Sequence, residues 1–264
     1  MSHIEYNNII ALNYSGAKQI SKSPAHYKAW LDALNEGDQK DTPALKVGRL
    51  VHLASLQPAV FNATVHIEPD VDRRTKDGKA VYEAFKASLK EGDETVDSET
   101  YAMIDSIAAS VEEAFLSLKV QADHWKVEQT YTKEYNGVTI KGRPDLVTRI
   151  LGSDATYIFD VKTCQSAEPA AFAKDVANYK YHLQDAFYSE LVGTENVFFI
   201  AVEKEPPYAY RIYSLDAAAK SEGRALMNDA VATYKQCLTY GKWPSYTKDV
   251  CELSLPKWAH ILTQ

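Results

Sequence analysis

The order of apolar and polar positions divides the chain into a helical first part and a middle rich in strands. Ser23-Pro24-Ala25-His26-Tyr27-Lys28-Ala29-Trp30-Leu31 opens as a helix, with serine as cap and proline at the first helical position. Ala44 to Gln57 repeats apolar residues at helical spacing and stops before Pro58. A short strand is predicted over Thr64 to Glu68, followed by a basic loop from Asp72 to Lys79. Helices are predicted over Ala80 to Lys90 and Ser98 to Leu118. From Lys126 the period changes. Lys126 to Tyr135 is rich in Val, Thr and Tyr and predicts a strand, Asn136-Gly137 is a strong hairpin signal, and Val138 to Ile150 predicts the returning strand. Further strands are predicted at Thr156 to Thr163, Glu195 to Val202 and Ala209 to Ser214. Helices are predicted at Ala170 to Val176, Tyr181 to Leu191 and Asp216 to Tyr240. Helices before, between and after the strands predict an α/β fold, a central mixed β-sheet flanked by helices with a helical N-terminal region. No repeat or linker divides the pattern, so residues 1–264 read as a single domain, with residues 1–45 as that helical region.

Composition narrows the function classes. With 45% hydrophobic and 25% charged residues the chain is an ordinary globular sequence, able to bury a core without disulfide staples. A net charge of -7 excludes a generally basic nucleic-acid coat but not a local basic groove. The three cysteines, Cys164, Cys237 and Cys251, form no CxxC pair, which disfavours a zinc ribbon or a four-cysteine cluster. No apolar run approaches the ~20 residues of a membrane span. The start, Met1-Ser2-His3-Ile4-Glu5, lacks the regions of a signal peptide. The expectation is a cytoplasmic protein with no membrane partner.

The chemistry concentrates around Gly142-Arg143-Pro144-Asp145 and Asp160-Val161-Lys162. Residues two apart on a strand point the same way, so Asp160 and Lys162 share a face while Phe159 and Val161 face the core. An acid and a lysine side by side at a strand end can hold a metal and contact the water beside it. Carrying the hairpin register outward from Tyr135 and Val138 places Glu128 opposite Asp145, where like charges repel unless a cation lies between them. Converging carboxylates are hard oxygen ligands that suit Mg²⁺ or Mn²⁺ rather than zinc. Gln184 and Tyr188, four apart, share a helix face and can touch a phosphate or the attacking water. Arg73, Arg74, Lys76 and Lys79 are candidates for phosphate contacts. Ser21, Lys22 and Ser23, at a helix start, can meet a terminal phosphate. Each feature also has a plain reading: a surface ion pair for Asp160 with Lys162, a turn residue for Asp145, a core histidine for His52, helix packing for Gln184 and Tyr188, and a solvated loop for the basic cluster. Cys164 reads as a packed residue.

Taken in order, Gly142-Arg143-Pro144-Asp145, Asp160-Val161-Lys162-Thr163 and Tyr179-Lys180-Tyr181-His182-Leu183-Gln184-Asp185-Ala186-Phe187-Tyr188 resemble the PD-(D/E)XK nuclease core, and the likeness extends outward to Gly48-Arg49-Leu50-Val51-His52 and Arg73-Arg74-Thr75. More narrowly they are similar to the exodeoxyribonuclease VIII (RecE-type) recombination exonucleases of phages and prophages. The likeness reaches the tail Leu253-Ser254-Leu255-Pro256-Lys257-Trp258-Ala259. It implies a restriction-endonuclease-like core in which Asp145 and Asp160 bind Mg²⁺, with Mn²⁺ able to substitute. The Val161 carbonyl and His52 would lie at the metal. Lys162 would orient the attacking water, Glu128 would stand as an upstream acid, and Gln184 and Tyr188 would border the site. It further implies processive 5′→3′ digestion of linear double-stranded DNA from its ends in a bacterial host. That digestion would leave 3′ single strands for a single-strand annealing protein, with a ring-shaped homo-oligomer around the DNA. The alternatives are an endonuclease of the same fold and a catalytically inactive DNA-binding or assembly protein.

Overall fold

The computed structural model describes residues 6, 8–37 and 42–255. Residues 256–259 of the tail named above, and most of the first seven residues, lie outside the described part. Helix α1 (Tyr14–Ile20) starts at Asn13, whose side chain accepts from the Gly16 N–H. Helices α2 (Pro24–Asn35) and α3 (Pro43–Leu56) each place proline in the first turn behind a hydroxyl cap, Ser23 and Thr42. Then follow α4 (Pro58–Thr64), β1 (Val65–Ile67), α5 (Lys76–Ser88), β2 (Glu94–Val96) and the long α6 (Ser98–Ser117). The strand-rich middle comprises β3 (Lys126–Val127), β4 (Tyr131–Tyr135), β5 (Val138–Gly142), β6 (Leu146–Thr148) and β7 (Tyr157–Cys164). Helices α7 (Pro169–Tyr179) and α8 (Tyr181–Val192) cross over to β8 (Val197–Glu203) and β9 (Tyr210–Tyr213), and α9 (Ala217–Tyr240) closes the order.

Three of these elements are not predicted by the pattern. α1, α4 and β2 are too short for periodicity to resolve. α5 begins at Lys76 rather than Ala80 because the Thr75 hydroxyl caps it, accepting from the Gly78 N–H at 3.0 Å. The predicted basic loop therefore ends in a helix, which carries Lys76 and Lys79.

The hairpin turn is as expected: Tyr135 pairs with Val138, and Asn136 and Gly137 both take left-handed backbone angles, φ 52° and 77°. The two long strands are not continuous. β4 and β5 form their own two-stranded ribbon, while β3 and β6 belong to the main sheet. The interruption falls where Pro144 has no N–H to donate and Glu128 adopts φ 45°. The register still carries across the gap, since Val127 pairs with Leu146 and the Glu128 N–H donates to the Asp145 carbonyl at 3.0 Å.

The main sheet has the order β3-β6-β7-β8-β9, with β7 and β8 parallel and the other pairs antiparallel. Each face has a separate apolar core. One packs Ile158, Phe199 and Ala201 against Leu183, Ala186 and Phe187 of α8 and Met227, Ala230 and Val231 of α9. The other packs Phe159, Val161, Ile200 and Val202 against Leu50, Val51 and Ala54 of α3 and Ile104, Ile107 and Val111 of α6. The mixed sheet flanked by helices is the predicted α/β architecture.

Candidate active site

The site forms where β7 loses a neighbour. β6 pairs only with Tyr157 to Phe159, so the backbone of Val161 on that side has no strand partner. A buried peptide group without a partner is costly. Here side chains supply the partners. The Val161 N–H donates to Asp145 Oδ2 at 2.8 Å, and the Val161 carbonyl lies 2.9 Å from His52 Nε2 on α3. His52 Nδ1 is 3.4 Å from Asp145 Oδ2. With an acceptor at each ring nitrogen, the imidazolium form satisfies both. Asp145, at the end of the Pro144 interruption, and His52, from the opposite core, are thus tied to the same residue of β7.

On the other face of β7, Asp160 and Lys162 project side by side. Asp160 is fully buried, and its Oδ2 accepts from Gln184 Nε2 at 2.9 Å. The same Nε2 lies 3.0 Å from the Tyr188 hydroxyl, which donates to the Arg143 carbonyl at 3.2 Å. α8 is held close to β5 by Gly142: a Cβ there would stand 2.6 Å from Leu191 Cδ1 and 3.3 Å from the Tyr188 ring. Lys162 pairs with Asp160 Oδ1, and Gln184 Oε1 is buried without a hydrogen-bond partner.

The charges explain one another. Burial and the Asp145 charge push the Asp160 carboxyl up to about 6, although Lys162 pulls the other way. Burial would raise Asp145 too, but His52, Lys162 and the Val161 N–H hold it below the usual carboxylate range. Burial would lower Lys162, and the two carboxylates outweigh it, so the ammonium is held more tightly than usual. Burial likewise opposes the His52 proton, yet Asp145 raises this imidazole to about 9.

This donor set fits a hard divalent cation. Asp160 Oδ1 meets only the Lys162 ammonium, and the buried Asp145 carboxylate is a second hard oxygen donor tied to the same strand. Among the described residues no three His, Cys, Asp or Glu side chains already converge as a finished cage. His52, one of the expected metal neighbours, spans Asp145 and the Val161 carbonyl.

The structure brings His52, Asp145, Asp160, Val161, Lys162, Gln184 and Tyr188 together. It does not join the rest to them. Glu128 is exposed, and among the described residues its carboxylate makes no hydrogen bond or ion pair with the buried acids. Arg73 pairs with Glu68 and stacks on the Tyr82 ring at 3.6 Å, and Arg74 pairs with Asp72 at 3.0 Å. Lys76 and Lys79 are exposed on α5. Ser21 and Ser23 spend their hydroxyls on the Ala17 carbonyl and on His26. Cys164 is buried, its Sγ 3.5 Å from the Val202 carbonyl, and burial pushes the thiol up to about 11. Sequence reasoning did not single out Tyr14, Lys18 or the ring of Tyr181. Lys162 Nζ lies 4.8 Å from the Tyr181 ring centre. Tyr14 lies on α1, which the sequence pattern does not predict.

A strand-borne Asp-Val-Lys beside a Pro-Asp, inside a mixed sheet with helices on both faces, defines a PD-(D/E)XK-type core. Residues 13–254 match the family described as "PDDEXK-like domain of unknown function (DUF3799)", and the chain belongs to it. That places it in the PD-(D/E)XK nuclease superfamily, without singling out the exodeoxyribonuclease VIII branch. No curated protein matches the sequence. Among solved structures the fold is similar to that of a protein from Eubacterium rectale provisionally described as an exonuclease. The TM-score is 0.58 with 16% identity, over 97% of this chain and 96% of that one. Among the described residues no helix is long and apolar enough to cross a membrane.

Proposed function

We propose that the protein is a Mg²⁺-dependent exonuclease that hydrolyses phosphodiester bonds at the ends of linear double-stranded DNA. The observation that carries the hydrolytic reading is the burial of two carboxylates, Asp145 and Asp160, beside one ammonium at the open edge of β7. Two acids and a cation so placed cost stability unless they serve a ligand. The end-directed reading draws on the exodeoxyribonuclease VIII resemblance and on the description of the Eubacterium rectale protein. Polarity 5′→3′, a ring-shaped oligomer and an annealing partner rest on the resemblance alone.

Asp145, Asp160 and the Val161 carbonyl would hold the cation. When bound, it would supply Lewis-acid stabilisation of the phosphoryl charge and lower the pKa of water. The protein's own groups do the rest. The two carboxylates hold the Lys162 proton in the metal-free site, so the ammonium can donate to the nucleophile or to a phosphoryl oxygen. Gln184 fixes the Asp160 carboxylate, and Tyr188 fixes Gln184 to the Arg143 carbonyl. Phe159 and Val161, locked in the core behind, keep the strand from yielding.

Asp160→Asn and Lys162→Ala should each abolish digestion with the circular dichroism spectrum unchanged. Linear duplexes labelled at the 5′ or the 3′ end and a closed circle, incubated with and without Mg²⁺, read out the rest. Metal-dependent loss of label from linear DNA with an intact circle is expected. Cleavage of the circle would make the protein an endonuclease, and full activity in either variant would remove the assignment.

A further inference from the structure

Beyond the reacting cluster, the elbow between α7 and α8 builds a surface that the hydrolytic reading leaves unused. Residues two apart on a helix do not face each other. Tyr179 and Tyr181 do, because Lys180 between them takes a left-handed conformation, φ 60° and ψ 42°, ending one helix and starting the next. Their rings stack at 5.6 Å between centres, tilted by 24°. Tyr181 is fixed from behind by Phe199 at 5.7 Å and 23°, and it also lies 4.8 Å from Lys162 Nζ. Tyr179, one ring further out, is 51% exposed. The Tyr14 hydroxyl donates to the Tyr179 carbonyl and so pins α1 to the elbow. Lys18, one turn along α1, stands 5.5 Å from the Tyr14 ring centre. Among the described residues no carboxylate pairs with Lys18, and Lys22 and Lys162 are close enough to repel its charge, after burial has already lowered its pKa. An exposed aromatic ring, rigidly backed, with Lys18 on the helix pinned to it and no carboxylate pairing that lysine among the described residues, has the chemistry of a single-strand binding platform. Flat polar-edged bases stack on such rings, and their phosphates meet the lysines.

We propose that the Tyr179 ring is a stacking platform for one unpaired nucleobase of the strand being cut, with Lys18 facing a phosphate of that strand. The proposal rests on the nuclease reading for its substrate, since it supplies a binding step beside the same site. It implies that the terminal base pair is open when the scissile phosphate reaches Lys162.

The test uses a duplex oligonucleotide with 2-aminopurine at its terminal nucleotides. Binding is measured with Ca²⁺ and hydrolysis with Mg²⁺ or Mn²⁺. The wild-type protein should quench the 2-aminopurine fluorescence. Tyr179→Ala should lose that quenching and raise KM about tenfold, the effect of removing one stacked base. The loss should fall on KM rather than kcat. Tyr179→Phe and Tyr179→Trp should restore both readouts. Equal quenching and equal KM in wild type and Tyr179→Ala would overturn the platform, as would digestion by the wild type with no quenching. Quenching by the wild type with no digestion in either metal would overturn the nuclease reading and leave the platform in place.

Discussion

At the scale of single residues, Asp160 is held from several sides. It is buried beside another acid, and it is held by one amide hydrogen bond from Gln184 and one ammonium contact from Lys162. Gln184→Met keeps the volume and removes the amide. Digestion should then fall about 10- to 100-fold, the usual effect of losing a partner behind a metal ligand, with little change in the urea midpoint. His52 gives a pH signature in the metal-free protein. Its folded pKa of about 9 exceeds the ordinary 6.5, so its proton stabilises the fold fully below pH 6.5, and that stability is lost as pH rises through 9. Asp160, raised to about 6, acts in the same sense but has finished titrating by pH 7. Lys141, lowered to about 8 by burial and Arg143, acts in the opposite sense at alkaline pH, so the comparison must be with a variant. Urea titrations at pH 7 and pH 9.5 should show the wild type losing up to about 3 kcal/mol more than His52→Gln. An equal loss in both would show that His52 carries no bound proton there. Asp160 and Lys162 were legible in the sequence because strand alternation fixes which residues share a face. His52 had no such signal: its partner is a peptide group on a strand 109 residues away, exposed by the end of β6.

Among the elements, the elbow at Lys180 is the point where backbone geometry decides side-chain placement. A left-handed lysine costs roughly 1–2 kcal/mol relative to a residue without that restriction. Lys180→Gly should therefore keep the fold and shift the urea midpoint upward by up to ~1 kcal/mol of stability, whereas Lys180→Val should lower it. A lower midpoint for the glycine variant would mean that the lysine side chain itself holds the elbow. The sequence pattern marked helices on both sides of this point, but a left-handed residue that is neither Gly nor Asn leaves no compositional trace, so the stacking of Tyr179 on Tyr181 could not be read. The broken hairpin has a different reason. Pro144 was visible, yet its effect on the strand depended on where the partner strand also broke, at Glu128. The basic cluster at Arg73 and Arg74 looked cationic by composition, but Glu68 and Asp72 neutralise it locally. Charge runs cannot be weighed until the acids that fold back on them are known.

For the molecule as a whole, two apolar cores sit back to back on one sheet, and the site draws on both. His52 comes from the core of α3 and α6, Gln184 and Tyr188 from the core of α8 and α9, and β7 joins them. The α/β class and the mixed sheet followed from the pattern alone, because helix and strand periods differ and the hairpin signal was strong. The register of β7 with β8 is a long-range pairing that no local signal encodes. Its consequence concerns how the protein fails. β7 lies in the middle of five strands and pairs with β8 along all but its first residue. Backbone amides there, Phe159 and Ile200 among them, should be the slowest to exchange with heavy water, opening only when the entire molecule does. On gradual warming, loss of turnover and loss of ordered structure should then trace one curve. An earlier decline in turnover would place the weak point in the surrounding helices, since the part of β7 paired on both sides is the last part of this fold that can fray.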